Sequence, residues 1–444
     1  MDNRNRQVYV ETFGCQMNMA DSEIVLSIMD KHGYVVTPDI SRAGLILLNT
    51  CAVRDHAEQR VLSRLSQIKR YKRANPGVVV GVLGCMAERL KSRLMDEESI
   101  IDMVVGPDEY RKLPDLVEDA VVGQKGIAVR LSRVESYDDI VPLRTEGISA
   151  WISVMRGCDK FCTFCVVPYT RGRERSRSVD SVVREVAQLV DRGFKEVTLL
   201  GQNVNSYRDD GHDFADLLTA VAQVDSGVRI RFTTSHPQDM SDKLIETIAD
   251  HRNVCNYVHL PVQSGSNRIL ELMERTYTRE HYMHLVEKIR RTIPGVSLST
   301  DIIAGFCTET EEDHHLTLSL IEEVRYDGAF MFKYSPREHT KAFAWGDDVA
   351  DDLKVARLNE IIELQQRISY QNNQTMVGDT VEVLVEGPSR RSVDEFRGRT
   401  DTNKGVIFPR AECNAGDNVQ VRVERANSAT LFGSLVQQNG QDGA

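Results

Sequence analysis

Three cysteines, Cys158, Cys162 and Cys165, are spaced C-x3-C-x2-C in the run Arg156-Gly157-Cys158-Asp159-Lys160-Phe161-Cys162-Thr163-Phe164-Cys165. No fourth cysteine lies close enough in sequence to complete the set. Structural zinc takes four closed ligands, usually as two pairs. An ordinary cubane iron–sulfur cluster also takes four thiolates. Three thiolates on one short loop leave one iron open to bind a substrate or cofactor directly. A zinc knuckle or an unliganded cysteine loop are the alternative readings of the same residues.

A second trio, Cys15, Cys51 and Cys85, is dispersed in sequence but repeated in context. Each follows an apolar strand-like run and precedes a helical one: Phe13-Gly14-Cys15, Asn49-Thr50-Cys51 and Leu83-Gly84-Cys85. In a parallel sheet such positions share the carboxyl edge, where these folds bind ligands. Helix amino-termini at that edge favour thiolates and an anionic cluster. Gly14 and Gly84 allow tight turns beside a bulky group. Three buried apolar cysteines are the alternative; the repeated context predicts a second three-thiolate cluster with an open iron.

The elements that must hold these cysteines follow from periodicity. Residues 7–122 alternate strands (7–13, 45–48, 78–83, 103–106) with helices (21–31, capped by Asp21; 55–73; 86–94; 108–122). That order implies a doubly wound parallel sheet in an amino-terminal domain, 1–124. Residues 125–149 read as a linker. Six further strand–helix units fill 150–374, with strands at 150–155, 196–200, 228–233, 257–260, 296–303 and 329–334, and a long helix at 351–374. They predict a βα barrel or partial barrel whose chemistry sits at the carboxyl ends of its strands, where the loop of Cys158 falls. Short alternating runs punctuated by glycine over 375–437 predict a small antiparallel β-barrel, followed by a polar tail, 438–444.

Composition bounds the class. The chain has 444 residues, 41% hydrophobic and 27% charged, with a net charge of −11, which excludes a generally basic nucleic-acid coat but not a local basic patch. No apolar run is long enough to span a membrane, and the start lacks a signal-like region, so a cytoplasmic protein without a membrane partner is expected. Nine scattered cysteines argue against a disulfide framework and for metal or redox chemistry.

These residues together resemble the methylthiotransferases among the radical S-adenosylmethionine enzymes. The resemblance runs from about residue 7 to residue 437 and includes Leu260-Pro261-Val262-Gln263-Ser264-Gly265-Ser266 and Arg275-Thr276-Tyr277-Thr278-Arg279-Glu280. Its last module is similar to the TRAM β-barrels that bind RNA in this family. Gly14-Cys15-Gln16-Met17-Asn18 and Cys162-Thr163-Phe164-Cys165-Val166-Val167-Pro168-Tyr169-Thr170-Arg171-Gly172 resemble the branch acting on isopentenylated adenosine in tRNA. The other branches act on threonylcarbamoyl adenosine or on a ribosomal-protein aspartate. Two stretches depart from the family's pattern: Gly305-Phe306-Cys307-Thr308-Glu309-Thr310 stands for its GFPGET turn, and Glu338-His339 for a proline-glycine. Cys307 is read as a bystander.

The resemblance implies an enzyme with two 4Fe-4S clusters. The one on Cys158, Cys162 and Cys165 reduces S-adenosylmethionine to a 5′-deoxyadenosyl radical. The one on Cys15, Cys51 and Cys85 carries or donates sulfur. A second S-adenosylmethionine supplies methyl, so both clusters should face one cavity. It implies cofactor contacts from Phe164 (packing near adenine), Gly201, Gln202 and Asn203 (methionine amino group), and Ser235, Gln263 and Arg275 (ribose or carboxylate). The implied partners are the tRNA anticodon stem-loop and an electron-donor protein, and a monomer is expected. A non-catalytic iron–sulfur electron carrier with an RNA-binding tail is the rival of a different class. Anionic RNA needs basic contacts; Arg171, Arg173, Arg175 and Arg177 beside the cysteine loop, and Arg390, Arg391, Arg397, Arg399 and Lys404 on the last barrel, are the expected ones. The basic helix at 55–73 reads equally as a solvated face.

Overall fold

The structure, a computed structural model, describes residues 6–52, 55–144, 147–410 and 412–436. The expected tail at 438–444 lies outside these residues. Amino-terminally, six parallel strands form one sheet in the order Val35–Val36, Gln7–Thr12, Leu45–Thr50, Val79–Gly84, Met103–Val105, Gly126–Ala128. Leu45–Thr50 and Val79–Gly84 are buried at every residue because helices cover both faces. The three strands that end before Cys15, Cys51 and Cys85 are direct neighbours, so their loops stand side by side on one edge.

Two sequence expectations are corrected here. Gly126–Ala128, within the expected linker, supplies the sixth strand, and Tyr137 and Ile140 complete the core below it. The first helix runs Gln16–Lys31 with Cys15 at its N-cap, so Asp21 is not a cap but a fully buried mid-helix carboxylate.

The second unit carries six parallel strands in two sheets, Ser149–Ser153, Glu196–Leu200, Arg229–Thr233 and Tyr257–His259, Ser297–Ala304, Gly328–Lys333. A bridge from Ile230 to Val254 joins them, leaving an open barrel. Alternation puts Ile152, Leu199, Phe232, Val258 and Ile302 into the outer core beneath the helices and turns their neighbours inward.

The carboxyl-terminal unit is a closed five-stranded barrel, antiparallel except for one parallel pair between Gly405–Pro409 and Thr430–Leu435. It docks under the amino ends of the barrel strands. Arg229 binds Glu382 and the Arg399 carbonyl, and Arg231 binds Glu196 and the carbonyls of Thr400 and Asp401. The terminal barrel thus lies at the end opposite the cysteine loop. No described helix is long and apolar enough to cross a membrane.

Candidate iron–sulfur and cofactor site

Cys15 caps the helix Gln16–Lys31, and Cys85 opens the helix Cys85–Leu90. Gly14 has φ +137°, and a Cβ there would lie 2.5 Å from Asn18 Oδ1 and 2.6 Å from Cys51 Cβ. Gly84 has φ +90°, and its Cβ would lie 2.5 Å from Asn49 Oδ1 and 2.6 Å from the Thr50 carbonyl. Only glycine fits at either turn. A buried lattice fixes the loops: Asn18 Nδ2 donates to Asn49 Oδ1 and the Thr50 carbonyl, and Asn49 Nδ2 donates to the Asn18 carbonyl and Ser22 Oγ. Cys15 hydrogen-bonds Cys51, which pulls the Cys15 thiol down to about 6, with burial opposing and Arg171 assisting. Burial pushes the Cys85 thiol up, against the pull of Arg171.

The other trio winds over the carboxyl end of Ser149–Ser153. Cys165 N–H donates to the Cys162 carbonyl at 2.9 Å. Burial pushes Cys158 and Cys165 up to about 12, and each feels the field of Cys162. Arg275 Nη1 donates to Cys162 Sγ at 3.2 Å, with its Nη2 on the Pro261 carbonyl and Nε on Tyr277 OH. Arg275 is therefore anchored on a sulfur, a carbonyl and a phenol oxygen.

The two trios adjoin. Val166, next to Cys165, packs against Cys85 and Ala52. Arg171, at the end of the helix Val167–Arg171, donates Nε–H to Cys85 Sγ at 3.2 Å and Nη2–H to Asp21 Oδ2 at 2.7 Å. Asp21 also binds Arg156. Burial alone would raise the Asp21 carboxyl, and the two arginines more than reverse it, holding it below the usual range.

Of the expected cofactor contacts, several converge below the loop. Gln202 Oε1 accepts from Gly157 N–H at 2.5 Å, and Asn203 Nδ2 donates to Asp239 Oδ2 at 2.7 Å. Gly201 sits where a Cβ would meet Met155 Cγ at 2.7 Å. Gln263 takes φ +73° in a bridge to Ile302. Phe164 meets the Phe306 ring edge-on at 6.4 Å, within an apolar cluster that includes Cys307. Cys307 donates to the Gly346 carbonyl at 3.3 Å, remote in bonding from both trios. In the departing turn Thr308 takes φ +63°, and Glu309 Oε1 accepts from Gly305 N–H. Glu338 in the other departing stretch binds Arg89 and Arg93.

The residues fit an anionic cluster and a polar cofactor. Arg171 Nη1, Asn203 Oδ1 and Ser235 Oγ are buried without a hydrogen-bond partner, a state buried polar atoms rarely keep. Two guanidiniums already point at cysteine sulfurs. Among the described residues no three ligating groups close up as on a single metal ion; a cubane spreads its thiolates over separate irons.

The basic contacts divide. Arg171, Arg175 and Arg177 do not face solvent: Arg175 binds Asp108, and Arg177 binds Asp138 and Glu185. These three expected RNA contacts are corrected to interior ion pairs, because Asp21, Asp108 and Asp138 from distant segments, with Glu185 of the following helix, meet them. Arg173 is 62% exposed, bound to Asp159 and lying over Phe161. Lys404 is turned inward to Asp327 and Asn373, so it is a docking residue and not an open RNA contact. Arg390 and Arg391 are exposed, and Arg397 and Arg399 lean on Glu386. Sequence reasoning missed Asp21 and Asn18, whose only signal was their place in the run after Cys15.

The chain matches the model of the uncharacterized protein family UPF0004 over residues 7–106, the radical SAM superfamily over 152–321, and the TRAM domain over 374–436. It is 53% identical over 437 residues to the tRNA-2-methylthio-N(6)-dimethylallyladenosine synthase of Chloroherpeton thalassium, covering 98% of this chain and 97% of that one. It is 54% identical over 440 residues to the protein of the same name from Bacteroides thetaiotaomicron, covering 97% and 96%. Among solved structures it resembles the radical S-adenosylmethionine methyltransferase TsrM from Kitasatospora setae, with TM-score 0.58 and 14% identity over 76% of this chain and 77% of that one. That likeness concerns the fold alone. The chain belongs to the radical SAM superfamily and, within it, to the family of the tRNA-2-methylthio-N(6)-dimethylallyladenosine synthases.

Proposed function

We propose that this protein installs a methylthio group at C2 of N6-(dimethylallyl)adenosine beside the anticodon of tRNA. The observation that carries the reading is the adjacency of two cysteine trios joined through Arg171, in a chain alike over nearly its full length to the methylthio synthases. Cys158, Cys162 and Cys165 would hold one 4Fe-4S cluster with S-adenosylmethionine, and Cys15, Cys51 and Cys85 the other. When bound, these groups supply a carbon radical able to take an unactivated aromatic hydrogen, together with sulfur and a methyl group.

The chain's own residues bind, orient and exclude water. Arg275 and Arg171 place positive charge on cysteine sulfurs, which favours a reduced, more anionic cluster. Asn203 and Ser235 offer unsatisfied polar atoms to the methionine end of the cofactor, with Gly201, Gln202 and Gln263 shaping its backbone cradle. Phe164 closes the apolar side. Arg173, Arg390, Arg391, Arg397 and Arg399 are the phosphate contacts. An electron-donor protein belongs to this reading because cofactor cleavage consumes electrons, and we place the chain in the cytoplasm as a monomer.

Anaerobic incubation with S-adenosylmethionine, a reductant and tRNA bearing the alkylated adenosine tests it. The expected products are 5′-deoxyadenosine and the 2-methylthio nucleoside by mass spectrometry. Absence of 5′-deoxyadenosine would instead mark an electron carrier.

A further inference from the structure

The inner wall of the partial barrel holds a second constellation that the cysteine sites do not use. Val258, Leu298 and Ile302 lie in the outer core, so Tyr257, His259, Ser299 and Asp301 turn into the lumen. They form one chain. Tyr257 OH and Ser299 Oγ are 2.6 Å apart, Ser299 Oγ and His259 Nδ1 are 2.8 Å apart, and His259 Nε2 lies 3.4 Å from Asp301 Oδ1. In register, His259 faces Ser299 and Asp301 faces Phe330 on the next strand. Phe330 is 52% exposed on the last strand of the open barrel, with its ring edge-on to His259 at 5.7 Å. The Asp301 side chain stays 27% exposed, and its second oxygen has no partner among the described residues. An open aromatic face beside an open carboxylate oxygen, both on rigid strands, is a surface the protein's own packing leaves unfilled.

We propose that this wall seats the target nucleobase, with Phe330 as its stacking platform and Asp301 as the acceptor for its exocyclic N–H. The inference rests on the reading that the substrate is an N6-alkylated adenosine. Such a base is neutral, offers a π-face to a ring, and retains one N6–H for a carboxylate. His259 is a positioning residue: a Ser299 hydroxyl donated to Nδ1 leaves the proton on Nε2, toward Asp301. The wall also discriminates. A substrate with its own carboxylate, whether threonylcarbamoyl adenosine or an aspartate side chain, would meet Asp301 with like charge. Arg231, on the neighbouring strand, is committed to Glu196 and to carbonyls of the last barrel.

The test uses anaerobic holoprotein and fluorescent anticodon stem-loop hairpins carrying the dimethylallyl adenosine, threonylcarbamoyl adenosine or an abasic site at the target position. Phe330→Ala and Asp301→Ala should each weaken binding of the dimethylallyl hairpin by about fivefold or more. Both should bind the abasic hairpin as the wild type does and keep its iron content. Asp301→Asn, which removes charge and keeps an acceptor, should narrow the preference for the dimethylallyl over the threonylcarbamoyl hairpin. Wild-type affinity of both alanine variants for the dimethylallyl hairpin would overturn the seat, as would an equal loss on the abasic hairpin. If the wild type itself forms no methylthio nucleoside on the dimethylallyl hairpin, the parent reading fails and the seat falls with it; product formation with unimpaired variants sinks the seat alone.

Discussion

Arg171 donates its Nε–H to Cys85 Sγ at 3.2 Å across the seam between the amino-terminal sheet and the barrel. The guanidinium comes from the helix after one cysteine loop, and the sulfur from the edge that carries the other trio. Its counter-charge is Asp21, buried in the helix that Cys15 caps, and Asp21 also holds Arg156 at the base of the first loop. One carboxylate thus ties both trios together.

Removing that carboxylate charge leaves two guanidiniums buried and uncompensated. Asp21→Asn is expected to destabilise the protein by about 3–5 kcal/mol, read from the midpoint of urea unfolding. Arg171→Met, which keeps the length and removes the cation, is expected to lower the reduction potential of the auxiliary cluster by tens of millivolts in an EPR-monitored titration. An unchanged potential would mean that Arg171 serves only to neutralise Asp21.

Gly14→Ala and Gly84→Ala force a Cβ into Asn18 and Cys51, and into Asn49 and Thr50, at a backbone conformation that side chains resist. Each should cost about 1–3 kcal/mol locally and empty the auxiliary site while the loop of Cys158 keeps its iron. Iron analysis of the anaerobically reconstituted variants checks this.

The basic residues should separate by experiment as they do in the structure. Replacing Arg390 and Arg391 together by serine should weaken tRNA binding and shallow the salt dependence, the slope falling by about 0.7 for each phosphate left without its arginine. Arg175→Ser should leave that slope alone and lower thermal stability, because it abandons buried Asp108.

His236 gives a pH signature. Burial, then the cations Arg275 and Lys160, push its imidazole down from 6.5 to about 2. Below pH 6.5 the unfolded chain binds a proton that the folded chain refuses, so stability falls with acidification by up to about 1.4 kcal/mol per pH unit. Glu23 acts oppositely: burial pushes it from 4.5 up to about 7, so between those values the folded chain holds the extra proton and gains stability as pH falls. Comparing wild type with His236→Asn by urea unfolding between pH 5 and 7 cancels the carboxylate contribution. The wild type should lose more stability than the variant on acidification, and parallel curves would contradict the assignment.

Much of this is legible in the chain. The strand–cysteine–helix repeat locates Cys15, Cys51 and Cys85 on one edge because parallel strands carry their order to a common end. The carboxyl-end rule places Cys158, Cys162 and Cys165 correctly for the same reason. What stays hidden depends on long-range partners. Arg171, Arg175 and Arg177 read as a phosphate patch because Asp21, Asp108, Asp138 and Glu185, which bury them, arrive from other elements. The first helix reads as starting at Asp21 because cysteine is not among the preferred N-cap residues; here Cys15 N and Sγ both lie 3.3 Å from Asn18 Oδ1. Gly126–Ala128 is too short for its alternation to stand out, and only its pairing with Met103–Val105 makes it a strand. Lys404 looks like an RNA contact because nothing local announces the Asp327 it meets.

Two neighbouring three-thiolate sites have a countable signature, the iron and acid-labile sulfide content of anaerobically reconstituted protein. About eight irons and eight sulfides per chain are expected, falling to about four of each when either Cys158, Cys162 and Cys165 or Cys15, Cys51 and Cys85 are replaced together by alanine. Four irons in the wild type, all lost with the first trio and none with the second, would contradict that expectation.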